Sequence, residues 1–341
     1  MNLPQIEYTL LYNGKNITAD ISAQVLGIEY TDKVAGESDE LQISLEDTDG
    51  RFQNSWYPTK GDKLQLIIRQ NGRQLDCGVF EIDEPTLNVS IAGDIFSMKG
   101  LAAGISKKMR TKNSYAHENK TLREIANTVA GNLGLTLLGN VENIRINRAH
   151  QYRETDLGFL KRIGGEYGYI FSVRNNQLIF THYSDVEKRS ASITLTKQDL
   201  VGADMKDTTN STYKNAKVKH HNPKSKAVVD YSIPETDPDL DSDSVDDLEI
   251  HTRVENKQQA ESKAKYALYQ ANSAGVTGSI TTPGNLLLVS GNNVNLYGLG
   301  AFSGTFAILE ATHSISRDAA YTTSCNVKRV KKTDAVNHKT K

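Results

Sequence analysis

The sequence predicts a mainly β protein carrying an α+β insertion. Three observations carry that prediction. Long blocks on both sides of the middle alternate apolar and polar residues with the period of a strand, and turn dipeptides interrupt them. One stretch, Thr121 to Phe180, joins two helix-period segments to strand-like sequence. Outside it, helical patterning is confined to residues 257–271.

The 341 residues suffice for two or three domains. The organisation expected is a first β-barrel domain over 1–105, an α/β module over 106–190, and a second β-barrel domain over 191–330. The second carries the helix 257–271 and an acidic loop, 234–249. A flexible tail, 331–341, follows. Lys and Arg number 40 against 41 Asp and Glu, a net charge of −1. That balance argues against a chain devoted to wrapping nucleic acid. No apolar run approaches the roughly 20 residues of a membrane helix. The N-terminus lacks a basic start followed by an apolar core, so assembly within a cytoplasm is the default expectation.

In chain order, Ile6–Tyr12 reads as a strand, and Asn13-Gly14 as a turn suited to positive φ. Val25–Tyr30 is a second strand. Leu41, Ile43 and Leu45 alternate with polar neighbours, as do Leu64, Leu66 and Ile68, with Ile67 an exception. Asn71-Gly72 makes another hairpin turn, and Val79–Ile82 returns. Short strands spaced by turns suggest a sandwich or barrel. Lys107, Lys108, Arg110 and Lys112 form a basic run that could touch phosphate but reads better as a solvated linker. Thr121 and Glu124 form a capping box, Leu122, Ile125, Ala126, Val129 and Leu133 mark one helix face, and Gly134 stops the helix. Leu135–Leu138 is a short buried strand. Residues 139–154 are polar and basic, with no element assigned.

Thr155 caps a second helix with Leu157, Leu160, Ile163 and Tyr167 on one face. Gly158, Gly164 and Gly165 weaken it or permit close packing. Tyr169–Val173, Asn175-Asn176 and Gln177–Phe180 form a hairpin. Residues 193–230 read as β again, with a hairpin loop at 222–225. Asn256 and Gln259 can box the start of the third helix. Its narrow face of Ala260, Ala264, Ala267, Leu268 and Ala271 suits close packing within one domain or, less simply, against another subunit. The last block is a run of short strands with glycine turns.

Chemistry is sparse. Cys77 and Cys325 could supply a disulfide or a reactive thiol, but read better as two buried small hydrophobes. His117-Glu118 is isolated. His220 and His221 adjoin in a strand and point to opposite faces, so they do not share a metal. His313 could act as a base but lacks a nucleophile motif, which favours a structural histidine. Asp239, Asp241 and Asp243 imitate the start of a calcium loop, yet Ser244 and Ile250 stand where Gly and Glu are needed. No catalytic, cofactor-binding or metal residue is assigned, and no interface residue is named.

Three segments resemble one family, the late control gene D proteins of contractile-tailed phages. These are baseplate hub proteins, similar in fold to the hub half of type VI secretion spike proteins. The first segment is DELQISLEDTDGRF with WYPTKGDKLQL, where Trp56, Pro58, Gly61 and Asp62 fit the pattern. The second is TLREIANTVAGNLGLTL with TDLGFLKRIGGEYGYIFSVRNNQLIF. The third is the alanine-rich helix with the block holding Gly291, Val294, Gly304, Phe306, Ile308 and His313. The resemblance covers most of the chain, roughly residues 5 to 330. The resemblance implies two tube-protein-like β-barrel domains per chain with the small α/β module set between them. It implies a homotrimer whose six barrels let a six-fold tail tube sit on a three-fold spike. Partners implied are the tube protein above, a separate spike protein below and other baseplate proteins, with no nucleic-acid specificity, no membrane insertion, no cofactor and no enzymatic activity. The location implied is the virion tail baseplate, assembled in the host bacterial cytoplasm. Two alternatives stand beside this reading. One is a cell-wall-degrading enzyme at the hub. The other is the hub of a secretion or extracellular injection particle.

Overall fold

Two asparagine–glycine turns set the register of the first β block. β1 (Ile6–Tyr12) returns through Asn13-Gly14, at φ 47° and 82°, into the two-residue β2 (Lys15–Asn16). A short helix α1 (Thr18–Ile21) leads to β3 (Val25–Lys33) and β4 (Glu40–Glu46). β5 (Lys63–Gln70) turns through Asn71-Gly72, at φ 50° and 75°, into the long β6 (Arg73–Asn88), which pairs with β7 (Ile95–Leu101). Both dipeptides have the two positive φ values of a type I′ hairpin turn, as the sequence predicts. The alternation also holds: Leu41, Ile43, Leu45, Leu64, Leu66 and Ile68 are fully buried, while Ile67 lies on the other face. They surround Phe80 and Phe96 in one core. The computed structural model describes residues 6–330 apart from 35–37, 103–106, 175–176, 209–212, 223–226, 236–245 and 273–274.

The middle module departs from the sequence reading at two places. The basic run is not a linker: it spans the short helix α2 (Lys107–Arg110) and the start of β8 (Lys112–Thr121). Helix α3 (Leu122–Leu133) then carries the predicted capping box, with Thr121 Oγ1 accepting from Glu124 N and Glu124 accepting from Thr121 N. Gly134 ends it in the left-handed region at φ 73°. After β9 (Thr136–Leu138), the polar stretch left without an element is in fact the eleven-residue β10 (Arg145–Thr155), antiparallel to β8. Helix α4 (Asp156–Glu166) starts at the Thr155 cap. β11 (Tyr169–Arg174) and β12 (Gln177–His182) form the predicted hairpin, whose Asn175-Asn176 turn lies outside the described residues. β9 joins β12 in parallel, and the helix α5 (Tyr183–Glu187) closes the module. Leu122, Ile125, Phe159, Leu160 and Phe180 fill its core.

The last block divides. β13 (Ala191–Thr196) and β14 (Gly202–Asp207) precede a separate layer of β15 (Asn215–Asn222), β16 (Ala227–Pro234) and β17 (Asp247–Ile250), covered by helix α6 (Lys257–Asn272). The acidic loop therefore begins and ends in strands. Its Asp239, Asp241 and Asp243, and the 223–225 part of the hairpin loop, lie outside the described residues, as does the tail 331–341. The helix predicted within the second barrel lies on this layer instead, with Ala216, Val218, Val254, Ala260, Ala264 and Leu268 as a separate core. Small side chains at Ala260 and Ala264 let it approach the strands closely. Its start is half a box: Asn256 Oδ1 accepts from Gln259 N at 2.9 Å, but Gln259 Oε1 takes the N–H of Glu255, not of Asn256.

β18 (Val276–Pro283), β19 (Asn293–Tyr297), β20 (Gly304–Ser316) and β21 (Thr322–Arg329) complete the second β half around Ile280, Val294, Phe306, Ile308 and Val327. The sequence treats the two β blocks as separate barrels. In the structure β20 pairs with β3 over Glu310–Ser316, so both halves share one 13-stranded sheet. A bulge between Ile308 and Glu310 redirects β20 so that it serves β19 at one end and β3 at the other.

Candidate functional site

The seam where β3 meets β20 gathers the buried polar groups of the β core. His313 is 1% exposed. Its Nε2 lies 3.0 Å from the Leu288 carbonyl, which can only accept, so Nε2 carries the proton. Nδ1 then accepts from the Tyr321 hydroxyl at 2.6 Å. Tyr30 stacks on the ring with centroids 5.9 Å apart. Burial drives the imidazole pKa down to about 4, against a smaller upward pull from Asp32. With both nitrogens engaged, His313 has no lone pair for base chemistry and acts structurally. Asp32, fully buried on β3, accepts from Ser290 N at 2.9 Å and Ser290 Oγ at 2.5 Å. Thr31 meets Thr312 at 3.2 Å, and Gln70 donates to the Gly284 carbonyl at 2.8 Å. The first half thus holds the 284–290 loop of the second by side chains as well as by the sheet.

A second joint fastens the α6 layer to the module. Lys263 is 7% exposed and spends its three protons on Glu166 Oε2 at 2.7 Å, Arg253 O at 3.0 Å and Thr252 Oγ1 at 3.2 Å. Gln259 donates to the Arg145 carbonyl at 2.7 Å, and Asn147 N donates to Glu255 at 2.7 Å. Tyr183 stacks on Tyr269 at 3.8 Å between centroids, and Lys328 lies over Tyr269 at 4.4 Å.

The remaining residues singled out in the sequence do not converge. Cys77 and Cys325 are buried and form no disulfide, and burial pushes the Cys325 thiol up to about 12, which suits an inert hydrophobe. His117 is buried against Phe159, and His220 sits in β15. Among the described residues no group of three His, Cys, Asp or Glu side chains could hold a metal. No described helix is long and apolar enough to cross a membrane. Asp62 is the anchor of its loop: it accepts from Tyr12 Oη, Asn13 Nδ2 and Thr59 N. Val294, Phe306 and Ile308 are core, and Gly291 and Gly304 hold positive φ of 77° and 149°. Sequence reasoning missed Asp32, which holds Ser290, Lys263, which reaches Glu166, and Asn293, which donates to the Val186, Glu187 and Arg189 carbonyls; each contact spans about a hundred residues or more and leaves no local signal. The arrangement is a braced scaffold.

Comparisons with known proteins agree with that character. A family profile described as phage tail baseplate hub (GPD) matches residues 108–319, more than half of the chain. The probable baseplate hub protein of Escherichia phage 186 is 27% identical over 199 residues, covering 56% of this chain and 50% of that protein. That of Escherichia phage P2 is 26% identical over 200 residues, covering 57% and 50%. The chain therefore spans about half the length of the curated relatives it matches. In fold it is similar to the 43 kDa tail protein of prophage MuSo2 from Shewanella oneidensis, with a TM-score of 0.72 at 16% identity, covering 95% of this chain and 98% of that one. It is also similar to a tail protein from Neisseria meningitidis MC58, with a TM-score of 0.71 at 13% identity, covering 95% and 96%. A component of the E. coli type VI secretion system follows at a TM-score of 0.58 and 13% identity, covering 97% and 77%. The chain belongs to the phage tail baseplate hub (GPD) family.

Proposed function

We propose that this protein is the structural, non-enzymatic hub of a contractile phage tail baseplate. Three copies form a ring that adapts a six-fold tail tube above to a three-fold spike below, in contact with other baseplate proteins and located in the virion tail. The observation that carries the reading is the double β core. Each chain offers two β halves, fixed to one another by the β3–β20 pairing and the Asp32–Ser290 bonds. Three such chains related by a three-fold axis present six β units to a six-fold partner and three chains to a three-fold one. Family membership and the buried, fully engaged His313 support a scaffold over a catalyst.

The test is co-assembly with phage tail tube and spike proteins, followed by a peptidoglycan zymogram of the pure chain. The proposal expects a stable complex with both partners and no clearing. Clearing that disappears when a single carboxylate is replaced would overturn the non-enzymatic reading.

A further inference from the structure

We propose that the β6–β7 hairpin of one copy seats on the β8–β10 ribbon of a neighbouring copy. This rests on the ring reading and names the faces that would close it.

The hairpin is both apolar and acidic. Leu87, Val89, Ile91 and Ile95 are exposed around its turn, Val89 at 68%. Leu87 lies directly across from Phe96, whose ring meets Tyr57 at 6.0 Å. Exposed Tyr57 and Trp56 therefore continue the apolar surface from the strands onto the adjoining loop. The segment 81–95 carries Glu81, Asp83, Glu84 and Asp94 and no Lys or Arg, with Lys99 of β7 directly across from Glu84. Leu87 shares one face of the hairpin with Phe96, while Ile95 and Glu84 stand on the other, and exposed apolar groups bordered by charge are the composition of a protein interface.

The ribbon has the opposite chemistry. His117 stacks on Phe159 of α4, so the His117 face of the ribbon looks inward. The other face carries Arg148, His150 and Tyr152, directly across from Glu118, Ala116 and Ser114. Tyr152 is 71% exposed, and the Arg153 guanidinium lies 5.7 Å from its ring. The two strands hold Lys112, Lys120, Arg145, Arg148 and Arg153 against Glu118 and Glu154. Tyrosine and arginine are the side chains that most often anchor interfaces. A segment of net negative charge on one side meets a ribbon of net positive charge on the other, where Arg148 also lies 3.6 Å from Glu118, so the net charges complement.

The occupant is a second copy because the same chain carries both halves of the match. A two-fold contact would set the acidic hairpin against itself. A head-to-tail contact pairs unlike faces, and such contacts close into a ring when the rotation between copies closes.

The experiment uses the full chain and measures self-association by sedimentation. Glu84→Lys with Asp94→Lys is expected to weaken association about tenfold, and Arg148→Glu with His150→Glu to do the same. The fourfold variant is expected to recover most of the loss, which separates contact from misfolding. Val89→Cys with Tyr152→Cys is expected to give copies linked by a disulfide on mild oxidation. Association unchanged by either pair, no recovery in the fourfold variant, or no linked copies overturns the proposal. If rings persist through both pairs, these faces are wrong and the ring reading stands, with the hairpin left to a separate basic partner. If the unaltered chain stays single even beside tube and spike proteins, the ring reading falls too.

Discussion

At the scale of the residue, His313 shows how burial converts a reactive side chain into a brace. Its folded pKa, about 4, lies below the ordinary 6.5 because the buried ring resists charging. The unfolded chain therefore takes up the proton first. Stability is complete above about pH 6.5 and falls as pH drops toward 4, by about 3 kcal/mol from this group. Denaturant melts across pH 4 to 7 measure it. His313→Gln is expected to be less stable at pH 7 and to show a shallower slope below 6.5. A slope that stays as steep in the variant would remove His313 as its source. His117 and His182, also held down by burial, add to the same slope, so it is reduced and not abolished.

At the scale of the element, two neighbouring glycines of α4 separate packing from propensity. A Cβ on Gly164 would meet the Phe180 ring at 2.8 Å, whereas one on Gly165 meets nothing within 4 Å. Gly164→Ala is expected to destabilise by about 1–3 kcal/mol through overpacking. Gly165→Ala is expected to stabilise by up to about 1 kcal/mol through helix propensity. Thermal melts of the two variants give the signs, and equal signs would contradict the packing read here. Lys263→Ala removes the ion pair between α6 and α4. Because Glu166 remains 39% exposed and can rehydrate, the loss is about 1–2 kcal/mol, below that of a fully buried pair. Hydrogen exchange should quicken in 215–272 before it does in the core of the first β half, and uniform quickening would count against a local joint.

Elements were legible where sequence and fold are local. Asn13-Gly14, Asn71-Gly72 and the Thr121–Glu124 box announce themselves because turn and cap chemistry is written in adjacent residues. β8 and β10 were hidden because the ribbon buries so little. Along KNSYAHENKT only His117 is buried, so no apolar period exists to read. The α6 layer was hidden for another reason: an alanine face fits any nearby surface, and only the structure shows which one.

At the scale of the whole molecule, the joining of two β halves is the central fact. The β3–β20 pairing links residues nearly three hundred positions apart, and no local pattern encodes it. The candidate site was legible only as an absence of catalytic motifs and as a family resemblance, since bracing residues such as Asp32 gain meaning from distant partners. In the ring proposed above, a rigid pair of β units lets a single chain present two equivalents to a six-fold partner. The account is tested most directly by the mass of the purified chain in solution, alone and with tube and spike proteins, joined to negative-stain imaging. It predicts three copies arranged as a ring around a central channel. A chain that remains single with both partners present would contradict it.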